Sequence, residues 1–263
     1  EIGVVKIRHV LGKFIRVAAI VGFFVAAGWI FYQMTAESTN KVVSEIKYVE
    51  KRTHNGQQLS VKLPDGTSIK LNNNSLLRVP DNYGTDRKVI LEGEAFFDVA
   101  RDEYLPFRIS TGNLIVEVLG TSFNVQSSDE QHIVSVVSGK VRVKDRVSNS
   151  ATTETILHER EAVVYNTATN VLESVQYNHD DLLWKDGILV FRDESIQEIE
   201  AKLEQWFNVE ITLHNEQYIG GHYTAKYPRE SLEEIHIGMG TVLNFEFEID
   251  NNRVVLTSKP QQL

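Results

Sequence analysis

The sequence predicts a mainly β protein with a C-terminal α+β module, carried behind an N-terminal transmembrane helix. Three observations predict it. Residues 17 to 36 run for twenty positions without a formal charge. Between 58 and 170 apolar residues alternate in steps of two and no helical period appears. From about 180 to the end, the pattern repeats itself at an offset of 36 residues.

The first element is Val17 to Ala36, VAAIVGFFVAAGWIFYQMTA. At about 1.5 Å per residue, a helix of that length crosses the ~30 Å hydrocarbon core. Lys6, Arg8, Lys13 and Arg16 precede it against the single acid Glu1, and Glu37 follows. The positive-inside rule then puts the N-terminus in the cytoplasm. Trp29, Phe31 and Tyr32 cluster at the outer end, where amphipathic rings favour the headgroup region. A cleaved signal peptide shares the basic start and the apolar run, and Ala26-Ala27 offers it a small-residue site. The run is longer than an ordinary h-region of about 7 to 15 residues, and its bulky WIFY end is a poor cleavage context. Ala18, Gly22 and Ala26 share one helical face and would let two such helices approach closely, a spacing that an Ala- and Gly-rich span also produces by chance.

Residues 1–16 read as a cytoplasmic juxtamembrane segment, and the chain, starting at Glu1 rather than methionine, reads as a fragment or processed product. Residues 37–57 are polar with weak periodicity and read as a periplasmic linker. The 263 residues leave room for two folded units. Net charge is −9 overall, and residues 37–263 carry 23 basic against 35 acidic side chains, which argues against a nucleic-acid partner. The absence of cysteine excludes a disulfide scaffold, a thiolate zinc site, an iron–sulfur cluster and a cysteine nucleophile.

Next come the strands. Leu59, Val61 and Leu63 alternate with polar partners, Pro64-Asp65-Gly66-Thr67 supplies a turn, and Ile69 and Leu71 resume the alternation as a hairpin. Val89, Leu91, Ala95, Phe97 and Val99 share a face. Phe107 and Ile109 follow Pro106, and Leu114, Val116 and Val118 lead to Gly120. Phe123 and Val125, Val134 and Val136, and Val141 and Val143 beyond the Ser138-Gly139 turn complete the series. Residues 58–178 are therefore expected to form an all-β unit, solenoid- or sandwich-like.

The segments LPDGTSIKLNNNSLL (63–77), RKVILEGEAFFDVARDEYLPFRIST (87–111), VEVLGTSFNV (116–125) and VVSGKVRV (136–143) resemble, in this order, the periplasmic domain of FecR-type anti-sigma regulators. The resemblance extends into the span and the C-terminal region, and departs at residues 1–16, where the family's cytoplasmic sigma-binding helical domain is absent. It implies a single-pass inner-membrane relay with periplasmic C-terminal domains. Its implied partners are an outer-membrane TonB-dependent transducer and, through the missing N-terminal domain, an extracytoplasmic-function sigma factor. It implies no enzymatic activity and no cofactor. A membrane-anchored periplasmic glycan-binding domain or hydrolase is the alternative from a different class.

Residues 179–263 form the second unit. A strand (188–191), an amphipathic helix (about Ser195 to Trp206) and a strand (209–213) are followed by the same series again. Glu194-Ser195-Ile196-Gln197-Glu198-Ile199 matches Glu230-Ser231-Leu232-Glu233-Glu234-Ile235, and Asn208-Val209-Glu210-Ile211 matches Asn244-Phe245-Glu246-Phe247. With a last strand at 253–257 the expected order is βαββαββ, which resembles the short N-terminal module shared by secretins and TonB-dependent transducers. Gly238 and Gly240 fall inside the second helix and each costs about 1 kcal/mol relative to Ala, so that helix is expected to be short or frayed, unless the glycines admit a partner's backbone.

Candidate chemistry is sparse. The eight histidines show no HxxxH or HExxH spacing, so no metal site is expected. Glu92, Glu94, Asp98 and Asp102 offer glycosidase-like carboxylates, but Glu92, Glu94 and Asp98 lie opposite Leu91, Ala95 and Phe97, as on an ordinary solvated face. Asn72-Asn73-Asn74-Ser75 reads as a turn bonding local backbone before it reads as a sugar site. At Gly120-Thr121 the threonine hydroxyl can attack the preceding carbonyl in an N-to-O acyl shift, whereas a bend between strands is the plainer use of that glycine. Some FecR-type regulators are cut at a Gly-Thr step, and VLGTSFNV resembles their context. The last strand, Arg253, Val254, Val255, Leu256 and Thr257, is the candidate partner-binding edge.

Overall fold

The computed structural model describes residues 19–33, 46–146, 154–214 and 221–259. It divides into two units, 1–45 and 46–263. In the first, residues 19–33 form helix α1, exposed along its whole length, including Phe23, Phe24, Trp29 and Phe31. No helix among the described residues is both long and apolar enough to cross a membrane. The remaining positions of the 17–36 span, and residues 37–45, lie outside the described residues.

The second unit is mainly β and begins earlier than the sequence suggests. Strand β1 (Tyr48–Arg52) occupies part of the expected linker and pairs antiparallel with β4 (Leu76–Pro80). All five of its residues are exposed, so it carries no inward apolar period by which to be recognised. The folded domain thus starts by Tyr48 rather than at 58. Strands β2 (Leu59–Lys62) and β3 (Ser68–Leu71) form the expected hairpin. A single helical turn, α2 (Tyr83–Asp86), interrupts the otherwise all-β stretch.

Strand β5 (Lys88–Asp98) organises the rest. Its first half pairs with β4 and, in parallel, with β6 (Phe107–Thr111); its second half pairs with β3 and with β8 (Ser122–Ser127). From β6 the sheet continues through β7 (Leu114–Val118) and β10 (Lys140–Asp145) to β11 (Glu154–His158). From β8 it continues through β9 (Gln131–Ser138) and β12 (Ala162–Asn166) to β13 (Val171–Val175). This nearly closed, barrel-like sheet folds over one apolar core. Val89, Leu91, Ile109, Val116 and Val143 enter that core from one half and Ile69, Phe97, Phe123, Val134 and Tyr165 from the other. Phe97 stacks on Phe123 with centroids 5.3 Å apart and tilts against Phe107 at 6.0 Å. All three rings are fully buried, each worth about 1.5–3 kcal/mol relative to exposure.

The change of half along β5 occurs at Gly93, whose φ is +87°. A Cβ there would stand 2.5 Å from Ser75 Oγ and 2.9 Å from the Asn74 carbonyl oxygen. Only glycine fits this backbone and this approach.

The LPDG turn closes one end of the core through its aspartate. Asp65 Oδ1 accepts from the Thr67 N–H at 2.9 Å, and Oδ2 accepts from the hydroxyls of Thr67 and Tyr83 and from Arg87 Nε. The Arg87 side chain is 3% exposed, donates also to the carbonyls of Leu105 and Ala100, and lies 5.7 Å over the Phe107 ring. Burial alone would raise the Asp65 pKa, but the donors from Thr67, Tyr83 and Arg87 outweigh it and hold it below the usual value.

The C-terminal part begins with a 3₁₀ segment, His179–Asp186, and continues β14 (Ile188–Glu194), α3 (Ile196–Phe207), β15 (Glu210–His214), β16 (Tyr223–Pro228), α4 (Leu232–Leu243), β17 (Phe245–Asp250) and β18 (Arg253–Ser258). The duplication is visible atom by atom. Ser195 and Ser231, 36 residues apart, each cap their helix in a capping box with Glu198 or Glu234. Asn208 and Asn244 end the helices in the left-handed conformation, and Asp193 and Arg229 share positive φ at the same offset. Helix α4 is as long as α3, contrary to the expected shortening. Its glycines serve internal packing: a Cβ on Gly240 would meet the Phe245 carbonyl oxygen at 2.8 Å, and one on Gly238 the Tyr227 hydroxyl at 2.8 Å.

Two outcomes follow from this packing. Gly93→Ala is expected to destabilise residues 46–263 by about 2–4 kcal/mol in urea unfolding, because strained φ and a backbone clash coincide. Arg87→Ala is expected to cost about 2–4 kcal/mol by removing the buried guanidinium that bonds Asp65 and the carbonyls of Leu105 and Ala100. Since the folded-state pKa of Asp65 is lowered, the wild-type stabilisation is present above the ordinary aspartate value of about 3.9 and is lost as pH falls through the folded-state value. An acid titration of the unfolding midpoint should show that loss in the wild type and a smaller one in Arg87→Ala, where Thr67 and Tyr83 still donate to Asp65.

Candidate functional site

The Gly120-Thr121 step lies between the end of β7 and the start of β8. Its flanks are fixed by backbone bonds from Asp102 N–H to the Leu119 carbonyl (2.7 Å) and from Val99 N–H to the Thr121 carbonyl (3.0 Å). Thr121 is 4% exposed, and its hydroxyl donates to the Lys140 carbonyl at 2.9 Å. Gly139, at φ +87°, packs on this step so closely that a Cβ would meet Thr121 Oγ1 at 2.8 Å and the Gly120 carbonyl oxygen at 3.1 Å. On the other side a Cβ on Gly120 would strike Arg101 Cα at 2.7 Å. The VLGTSFNV and VVSGKVRV segments therefore meet here, and their glycines are required by contact. A groove of about 550 Å³ opens beside the step, lined by Leu119, Val141 and Ile156 with Arg101, Glu117 and Arg142. Glu117 accepts from Arg108 and Arg142. The arrangement holds a nucleophilic hydroxyl in place, with its proton directed at a carbonyl rather than at a base.

The proposed partner strand is not where the sequence reading put it. β18 is the central strand of its three-stranded sheet: Arg253, Val254, Val255, Leu256 and Thr257 pair in parallel with β15 and antiparallel with β17. Their backbone groups are taken from both sides, and Val254 and Leu256 are fully buried. Terminal position in the sequence is no guide to position in a sheet. Here the parallel β15 pairing, closed through the second helix, covers the side that the sequence left open.

A third locus was missed. The four carboxylates do not share one environment: Glu92 pairs with Arg78, Asp98 accepts from the Ser122 hydroxyl, and Asp102 accepts from the N–H groups of Tyr104 and Leu105. Glu94 faces the C-terminal part instead of open solvent. Asn72 Nδ2 donates to its Oε2 at 2.7 Å and Asn124 Nδ2 to its Oε1 at 2.8 Å. It borders a cleft of about 550 Å³ shared with Asp181, Trp184, Arg192, Glu194, Lys202 and Trp206. Burial raises its pKa, against the lowering effect of the Asn72 and Asn124 amides. Beside the cleft, Gly56 N–H bonds the Gln205 carbonyl at 2.7 Å, Gln58 bonds the Trp184 carbonyl at 3.2 Å, and the Lys185 ammonium lies 5.4 Å over the Phe96 ring. The Asn72–Ser75 turn bonds itself, through Asn73 N–H to Asn72 Oδ1 and Ser75 Oγ to the Asn73 carbonyl. Among the described residues there is no group of three or more acidic or histidine side chains that could hold a metal ion.

Two family descriptions match along the chain: FecR protein over residues 50–142 and FecR, C-terminal over residues 188–256. The chain belongs to the FecR family. Two crystal structures of a protein described as a "putative anti-sigma factor" from Parabacteroides distasonis ATCC 8503, at 2.50 and 1.65 Å resolution, are similar to it. Each is 30% identical, covering 81% of this chain and 100% of the other, with TM-scores of 0.66 and 0.65. A comparison with curated proteins gives no match. In this FecR protein the first matched segment contains the Asp65–Arg87 cluster, Gly93 and the Gly120-Thr121 step, and the second contains both copies of the capped helix.

The contact at Gly139 makes a further outcome specific. Gly139→Ala is expected to destabilise the β domain by about 2–4 kcal/mol in urea unfolding, since the added methyl meets the Gly120-Thr121 backbone at a positive φ.

Proposed function

We propose that this FecR protein is a single-pass inner-membrane anti-sigma regulator, relaying the state of an outer-membrane TonB-dependent transducer to an extracytoplasmic-function sigma factor. The observation that carries the reading is the 30% identity, over the full length of the matched chain, to the protein described as a "putative anti-sigma factor". The basic residues before the apolar run and Glu37 after it support a cytoplasmic N-terminus with residues 46–263 in the periplasm. Residues 37–57 would then include both tether and first strand, followed by the β domain and the duplicated module at 179–263.

The duplicated module is the transducer-binding part of this proposal, by its likeness to the transducer's own short module. Because β18 is paired on both sides, β15 and β17 are the edges of its sheet, and on β17 Glu246, Glu248 and Asp250 are exposed. In the same reading Gly120-Thr121 is a self-processing step. The Thr121 hydroxyl leaves Lys140, attacks the Gly120 carbonyl and displaces the amide nitrogen, and water hydrolyses the resulting ester to give two chains that stay associated through the sheet.

Three measurements test it. A reporter fused after Leu263 should be active only in the periplasm, and cytoplasmic activity would reverse the orientation. Calorimetry of residues 46–263 with the periplasmic N-terminal domain of the cognate transducer should give saturable binding, weakened several-fold by Glu248→Lys; no binding by the unmodified protein rejects the partner. Protein from native membranes should run as two fragments, the C-terminal one beginning at Thr121, and as one band in Thr121→Ala; a single band in the unmodified protein rejects self-processing.

A further inference from the structure

Glu94 is the one carboxylate lining the inter-module cleft that has no cationic partner there. The other acids are matched: Asp180 with Lys226, Asp181 with Arg192, and Glu194 with Lys202. Its own strand adds Glu92, engaged with Arg78, and the turn after β3 and strand β8 present only the amides of Asn72 and Asn124. From the 3₁₀ segment the Trp184 indole N–H and the Asp181 carboxylate face it, the latter raising its pKa further. Lys185 on the same segment is paired with Asp186.

The two amides that hold Glu94 are not equivalent. Asn72 is fixed in orientation, because its Oδ1 accepts from the Asn73 N–H at 2.9 Å and from Gln58. Asn124 is 5% exposed, and its Oδ1 is buried without a hydrogen-bond partner. Rotating the Asn124 amide by half a turn therefore breaks no bond except the one to Glu94, and it replaces that bond. With Nδ2 toward Glu94 the site suits a carboxylate; with Oδ1 toward Glu94 it suits a carboxylic acid donating its O–H.

We propose that Glu94 and Asn124 form a proton-operated latch at the seam between the β domain and the duplicated module. A proton from solvent binds Glu94 Oε1, the Asn124 amide turns, and the N–H···O bond becomes an O–H···O bond, leaving the hydrogen-bond count unchanged. The seam then contains no unpaired charge. Glu94 in an open seam would titrate as an exposed glutamate, near 4.3, whereas in the closed seam burial raises it. The latch therefore contributes fully below the open-state value and weakens as pH rises through the closed-state value. The proposal concerns the seam itself and stands whether or not the transducer is the partner.

Trp184 and Trp206 both line the cleft, so intrinsic fluorescence reads it directly. The experiment uses the full chain in lipid nanodiscs with Trp29→Phe, titrated between about pH 4 and pH 8, a range reaching from the ordinary glutamate value upward. Emission should show a transition with its midpoint above that of an exposed glutamate. Glu94→Gln, neutral at every pH, should abolish the transition. Asp181→Asn removes the nearby like charge from an exposed position and should move the midpoint down by about half a pH unit. A flat wild-type profile overturns the proposal, as does a transition that persists in Glu94→Gln. Should Glu94→Gln fail to fold, an unmoved midpoint in Asp181→Asn overturns it instead.

Discussion

One strand passing through both halves of a sheet is the constraint on which this protein depends. β5 carries pairing partners on both edges along its length, and it changes partners at Gly93 without breaking its inward alternation of Val89, Leu91, Ala95 and Phe97. The bend must be sharp enough to bring the halves over one core, and the parity must survive it. A positive φ at a residue without a Cβ meets both demands. The close approach of Ser75 and Asn74 to Gly93 then fixes the Asn-rich turn, and that turn delivers Asn72 to Glu94. A backbone requirement in the β core thereby positions the polar group that meets the second module.

Two half-buried carboxylates illustrate how context decides a charge. Asp65 and Glu94 both lie on segments that the family shares, and burial pushes the pKa of each upward. Asp65 has a guanidinium and three further donors, which reverse the effect. Glu94 has two amides but no cation, and burial prevails. The first is therefore a fixed ion pair that ties the LPDG turn to α2 and β5. The second retains a choice of protonation state at the place where two modules touch.

That division suits a relay. A part that only transmits a binding event needs one rigid body, one attachment that can respond, and a surface for the partner. Under the proposed function the β domain supplies the first through its shared core, the Glu94 seam the second, and the duplicated module the third. Duplication also explains why α4 tolerates two glycines: the second copy inherits the helix caps at Ser231 and Asn244, while Gly238 and Gly240 let Tyr227 and the Phe245 backbone approach.

Much of this was legible in the chain itself. Alternation of apolar residues named β2, β3 and β5 to β10, because a two-residue period is a local property of each strand, but not β4, β11 or β12, which also supply core residues. The 36-residue offset named both capped helices, since capping boxes are written within four residues. What failed to appear were features without a local signature. β1 is exposed throughout and is a strand only because β4 lies beside it. β18 is central only because β15, far back in the chain, reaches its other side in parallel. Glu94 sits on the outward face of its strand, as its period requires, and is half-buried beside a cleft lined by residues of the second module. The sequence by itself determined period, turns, caps and repeat, all of which are interactions between near neighbours along the chain. Strand order, the seam and the charge state of Glu94 were decided by the tertiary structure, because each depends on which distant surface occupies the space beside it.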